Sequence, residues 1–184
     1  MTSQLNRVRV AFLFTEGVEQ AELTTPLAAV RRDGAATTLV SLASGPVQMF
    51  NHLDRSDLID ADVAAADTHA NSFDALVLPG GVANPDALRV DEAAVSFVRG
   101  FFEADKPVAV ICHGAWTLIE AGVLSGRTLT SWPSLQTDLR NAGATWVDEA
   151  VHVDGELISS RNPDDLPVFC DALIDRLAAV AQER

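Results

Sequence analysis

Two stretches constrain the fold more than any others: "DALVLPGG" (74–81) and "KPVAVIC" (106–112). Each holds a short run that is apolar on consecutive positions. Successive side chains of a strand point to opposite faces, so such a run needs apolar cover on both sides. Helices give that cover when the sheet is the middle of three layers. "RVRVAFLF" (7–14) and "ATTLVSL" (36–42) read as further strands.

The segments between them have helical spacing. "AELTTPLAAVRRDG" ends at Gly34, and "DEAAVSFVRGFFEA" places Ala94, Val95, Val98, Phe101 and Phe102 on one face. A helix follows at 113–121, another opens at Pro133, and a last one near "NPDDLP" presents Phe169, Leu173, Leu177 and Val180. "AVHVDGELISS" reads as a hairpin around Asp154 and Gly155. From Ser44 to Ser72 the chain is polar and rich in turn signals, with room for one short strand or helix. Alternating strands and helices predict an α/β domain with a mostly parallel sheet and helices on both faces.

The 184 residues fit a single domain, 1–184. With 48% hydrophobic residues and a mean hydropathy of +0.15, no apolar run approaches the ~18–20 residues that cross a bilayer. Arg9 interrupts the apolar part of the N-terminus, which runs into acidic "TEGVEQAEL" without a small-residue cleavage site; no signal peptide is predicted. A net charge of −13, with Lys106 the only lysine, excludes a nucleic-acid partner bound through its phosphates. Cys112 and Cys170 allow one disulfide and have no metal-type spacing, which suits the reducing cytoplasm. No metal or cofactor is expected: GxGxxG after a strand and GxxxxGK[ST] are absent, and His52, His69 and His152 lack ligand spacing. Cys170 lies on the apolar stripe of the last helix and reads as structural.

Ligands of such sheets bind at the carboxyl ends of the strands, here Thr15–Glu22, Pro79–Asp86 and Cys112–Trp116. Strand, Cys112 and helix meet there as in a nucleophile elbow, with Gly114 on one side and the bulkier Val110 on the other. A buried structural cysteine fits the same string. The helix dipole alone favours a thiolate by only ~0.3–1 kcal/mol, up to ~2. Glu16, Glu19 and Glu22 lie near the same edge. An ionised carboxylate would raise the thiol pKa and a protonated one would stabilise the thiolate, so the two groups would titrate jointly. His113 is the adjacent base, but neighbouring residues at a helix start diverge by roughly 100°, so a direct bond to Cys112 is not assured. Asp86 could orient it, from the same chain or across an oligomer interface, or cap a short helix. Gly80 and Gly81 allow an oxyanion site or simply a tight turn. Trp116 and Trp132 could wall the pocket.

"FTEGVEQAEL", "DALVLPGGVANPDALR", "KPVAVICHGAWTLIEAGVLSGRTLTSWPS", "LRNAGATWVDEAV" and "SRNPDDLPVF", in that order, resemble the PfpI family. This is the branch of the class I glutamine amidotransferase-like superfamily that includes intracellular cysteine proteases, general stress proteins and a protein deglycase. The resemblance implies a flavodoxin-like sandwich that forms homodimers or larger homo-oligomers. It makes Cys112 the nucleophile, Glu22 its hydrogen-bonding glutamate, His113 the neighbouring histidine, and Gly81 with the His113 backbone the oxyanion site. Asp86 is the nearest match to a glutamate that orients the histidine from an adjoining subunit. Trp132 stands where some members have tyrosine, and "CHGA" where many have "CHGP".

Two functions follow. One is a stress-response hydrolase whose thiolate attacks a small carbonyl compound, a peptide or a glycated protein. The other is a redox sensor or chaperone working through Cys112 oxidation. Both require an acidic thiol. A glutaminase is disfavoured because His152 falls in a hairpin strand rather than beside a glutamate on a late loop.

Overall fold

The computed structural model describes residues 5–182; residues 1–4 and 183–184 of the expected domain lie outside the described residues. In chain order the elements are β1 (Arg9–Leu13), β2 (Val18–Glu19), α1 (Gln20–Arg32), β3 (Ala36–Ser41), β4 (Gly45–Asn51), β5 (Asp54–Ala61), β6 (Val63–Ala64) and β7 (Ala75–Leu78). There follow α2 (Ala83–Leu88), α3 (Glu92–Glu103), β8 (Val108–Ile111), α4 (Ala115–Ala121), β9 (Thr128–Leu129), α5 (Gln136–Asn141), β10 (Thr145–Trp146), β11 (Val151–Asp154), β12 (Leu157–Ser160) and α6 (Leu166–Gln182).

The central sheet runs β11-β12-β8-β7-β1-β3-β6 and is parallel except at the β11–β12 hairpin. Its strands feed two cores, as their consecutive apolar residues require. Val10, Phe12, Val77, Ala109 and Ile111 join one core with Leu23 and Leu27 of α1 and Phe169, Leu173 and Leu177 of α6. Ala11, Leu13, Leu76, Leu78, Val108 and Val110 join the other, with Val98 and Phe101 of α3 and Leu118 of α4. This is the expected three-layer α/β sandwich. Among the described residues no helix is long and apolar enough to cross a membrane.

Several local expectations change. The polar stretch after Ser44 forms the long antiparallel β4–β5 hairpin, its tip at His52 and Leu53. Most of β5 faces solvent, so it lacks the buried alternation that marks a strand in sequence. The late hairpin turns at Gly155 and Glu156, since Asp154 still pairs with Leu157. Val180 is only half-buried, while Phe97 joins the α3 core.

Chain order reverses around β1, which lies between β3 and β7, so the ends of β1, β7 and β8 gather at one switch point. Fully buried Asn84 binds two of those ends together. Its Oδ1 accepts the Thr15 N–H at 2.7 Å, and its Nδ2 donates to the carbonyls of Pro79 and Gly80 at 3.0 and 2.9 Å. Asn84→Ala removes three buried hydrogen bonds, leaving the Gly80 carbonyl only its bond from the Glu19 N–H, and is expected to cost about 2–4 kcal/mol. Urea unfolding should show a lower midpoint with an unchanged slope; an unchanged midpoint would refute this role.

Candidate active site

β8 ends at Ile111, and Cys112 begins the turn Cys112–Gly114 that leads into α4. Its φ is 62°, a left-handed conformation that costs a residue with a Cβ roughly 1–3 kcal/mol. The strained turn presents the thiol at the sheet edge, as in a nucleophile elbow. It also corrects the expected divergence of Cys112 and His113. The 100° rule applies to consecutive helical residues, and Cys112 is not helical: its Sγ lies 3.2 Å from His113 Nδ1.

His113 is buried and held by aromatic neighbours. Trp132 stacks on it with centroids 5.7 Å apart, and Trp116 meets it edge-on at 5.2 Å. Burial lowers the His113 pKa and favours neutral imidazole. Its Nε2 lies 3.4 Å from Ser134 Oγ. With the proton on Nε2, Nδ1 is free to accept the thiol proton.

Glu22 comes from the first turn of α1 and is fully buried. Its Oε2 accepts the Gly80 N–H at 2.8 Å, while Oε1 is buried without a hydrogen-bond partner; the polar side chain acting on the carboxyl is Cys112. Burial pushes the carboxyl up to about 8, opposed by Cys112 and the Gly80 N–H and reinforced by the charge of Glu19. Glu22 is therefore protonated at neutral pH and able to donate from its otherwise orphaned oxygen.

The Cys112 thiol is also pushed up, first by burial and next by the charge of ionised Glu22, while the backbone N–H groups of His113 and Gly81 pull it down. Burial thus opposes the acidic thiol expected from sequence. At neutral pH the proton on Glu22 removes the second of these effects, and His113 Nδ1 is the base within hydrogen-bond reach of the thiol.

The two glycines are sterically required. A Cβ on Gly80 would fall 2.5 Å from Glu22 Oε2 and 2.7 Å from Cys112 Cβ. Gly81 has φ +80°, and a Cβ there would meet the Gly17 carbonyl and the Glu19 amide. Their absent side chains let backbone N–H groups approach the thiol and the glutamate.

Glu22, Gly81, Cys112, His113 and Trp132 all line one cavity of about 260 Å³. Asp86 is not brought to it. It is exposed on α2 and makes no side-chain hydrogen bond or ion pair among the described residues; Ser134 stands at His113 Nε2 instead. Of the other glutamates, Glu16 is exposed, whereas Glu19 is buried and accepts the His52 N–H at 2.9 Å. Sequence reasoning missed Ser134, Asn84 and the contribution of the hairpin tip. A polar residue two positions after Trp132 was the one available signal for Ser134. No group of three or more His, Cys, Asp or Glu among the described residues could hold a metal ion.

The raised Glu22 pKa has a measurable consequence for stability. In the unfolded chain the group has its ordinary value of 4.5, so folding takes up a proton between there and about 8, and stability falls as pH rises through that window. Glu22→Gln has no such proton to bind. It should be more stable than wild type by about 3 kcal/mol or more at pH 8, with the gain vanishing towards pH 4.5. Thermal unfolding across pH tests this; a gain independent of pH would contradict it.

The model of the DJ-1/PfpI family matches residues 8–176. Deglycase TK1284 of Thermococcus kodakarensis is 41% identical over 159 residues, covering 86% of this chain and 93% of that protein. General stress protein 18 of Bacillus subtilis is 37% identical over 162 residues, covering 88% and 92%. A solved two-domain protein from Anabaena variabilis, containing DJ-1/ThiJ/PfpI-like and ferritin-like domains, superposes with a TM-score of 0.87 at 34% identity; the match covers 93% of this chain and 48% of that one.

Proposed function

This chain belongs to the DJ-1/PfpI family, and we propose that it is a cysteine-dependent hydrolase of deglycase or glyoxalase type, acting on small carbonyl compounds and their adducts. The observation that carries the proposal is the Cys112 thiol 3.2 Å from a neutral imidazole, with the Gly81 and His113 amides beside the sulfur. A cavity of about 260 Å³ favours a small carbonyl over a peptide, since sites for drug-sized ligands run to ~300–1,000 Å³.

For a 2-oxoaldehyde the steps balance without an external oxidant or reductant. His113 takes the thiol proton as Sγ attacks the aldehyde carbon; a C–S bond forms, and the carbonyl π pair moves to oxygen. The Gly81 and His113 amides stabilise the developing oxyanion, and Glu22 supplies its proton. A base then removes the proton from the carbon bearing sulfur. Reprotonation at the neighbouring carbon leaves a thioester, which water cleaves to a 2-hydroxy acid and the free thiol. In an amine adduct, the C–N bond breaks as the C–S bond forms, and the amine leaves protonated.

Redox sensing through Cys112 has less support, because sensor thiols are acidic and accessible whereas this one is 7% exposed and shifted upward. Two free cysteines suit a cytoplasmic enzyme. We extend the proposal to a homo-oligomer in which exposed Asp86 orients the histidine of a neighbouring copy, in a stress-response role like that in the name of the Bacillus relative.

The test is turnover of methylglyoxal and of a methylglyoxal-modified thiol, with an unmodified peptide as comparison. Cys112→Ser should abolish both carbonyl activities, and His113→Gln should lower kcat by about 10²–10⁴-fold. Wild-type kcat/KM should fall above about pH 8, where Glu22 loses its proton, and that descent should be absent in Glu22→Gln. Peptide cleavage without carbonyl turnover would overturn the proposal.

A further inference from the structure

The mouth of the cavity differs in chemistry from its floor. Leu53 is 89% exposed, Val82 53% and Trp132 39%, and all three line this one cavity. Large apolar side chains so exposed and so grouped mark a contact surface. No Lys or Arg lines the cavity. Its acidic side chains are Glu19 and Glu22; its buried histidine, His113, is shifted towards neutrality, and its exposed one, His52, lies 3.9 Å from Glu19.

Leu53 is held in place by a specific device. The preceding residue, His52, has φ 57°, strained for a residue with a side chain, and its N–H is bound at 2.9 Å by the buried carboxyl of Glu19. A hairpin tip with no task would not need a buried acid on its backbone. The charge of Glu19 also acts on Glu22, so the group anchoring the tip opposes any anion entering beside it.

Building on the carbonyl-hydrolase reading of this site, we propose that Leu53, Val82 and Trp132 form a specificity pocket for the apolar substituent of an uncharged 2-oxoaldehyde, and that the site discriminates against anionic carbonyl compounds. An apolar substituent covers the exposed rim as the carbonyl reaches Cys112. A carboxylate or phosphate in the same place loses water, meets no Lys or Arg, and faces the Glu19 carboxyl, whose neighbour His52 lies 3.9 Å away with its ring turned largely to solvent.

Competing substrates of matched shape test this. Phenylglyoxal should exceed methylglyoxal in kcat/KM by about tenfold, and 4-carboxyphenylglyoxal should fall at least tenfold below phenylglyoxal. Leu53→Ser should lower the phenylglyoxal-to-methylglyoxal ratio by about three- to tenfold, and Leu53→Lys should selectively recover 4-carboxyphenylglyoxal. Val153→Ser, an exposed apolar change on the distant β11–β12 hairpin, should leave the ratio as in wild type. Turnover of methylglyoxal with equal or better turnover of the anionic substrate, or a ratio indifferent to Leu53, would overturn the pocket while leaving the carbonyl hydrolase standing. Failure to turn over any of the three would overturn both.

Discussion

The hydrogen bond from the Gly80 amide to the buried Glu22 carboxyl is the interaction on which the site depends. It joins the first turn of α1 to the loop after β7, and the thiol at the end of β8 lies against both. Remove the amide, and a fully buried acid loses the donor that holds its Oε2. Put any side chain on Gly80, and the acid and the cysteine are pushed apart. The geometry that sets the thiol beside the acid is thus the same geometry that lets this end of the sheet close.

The layered architecture was legible because it rests on patterns short in range. Consecutive apolar residues in "ALVL" and "VAVI" require cover on two faces, and the helices supply it. The β4–β5 hairpin was not legible, because Leu58 faces water and "DRSDLIDA" buries little beyond its final alanine. The three strand-end segments do meet at one edge of the sheet, but spacing alone did not say which of their groups touch. Among the three candidate acids the helical spacing made no choice and the family resemblance pointed to Glu22; the fold puts Glu22 at the thiol, Glu19 at the hairpin tip and Glu16 in solvent. The Cys112–His113 contact failed the helical rule because a positive φ removes Cys112 from the helix, a fact carried by tertiary packing rather than by "ICHG". Ser134 and Asn84 were missed because a hydroxyl or an amide has no spacing signature; each matters through what lies opposite it.

The electrostatic character of the site follows from burial more than from charge. The chain carries a formal net charge of −13, yet the carboxyl at the thiol is held neutral at pH 7 and the imidazole is shifted the same way. Passing a proton from a neutral thiol to a neutral imidazole creates an ion pair, which is expensive in a low-dielectric setting, and the His113 and Gly81 amides beside the sulfur offset part of that cost. In the proposed mechanism the sulfur loses its proton to Nδ1 as it attacks, and does not have to exist as a free thiolate beforehand.

The floor and the rim of the cavity are under different structural constraints. The floor is assembled from the ends of three strands and a helix turn, each packed into a core or fitted with no room for another atom, so changing it threatens folding. The rim includes a hairpin tip whose Leu53 is nearly all in water and bound to nothing that stability requires. Its side chain can be exchanged at little thermodynamic penalty. A scaffold of this kind can take a new residue or two at the tip while its packed floor stays intact, much as a tool keeps its handle and changes its bit.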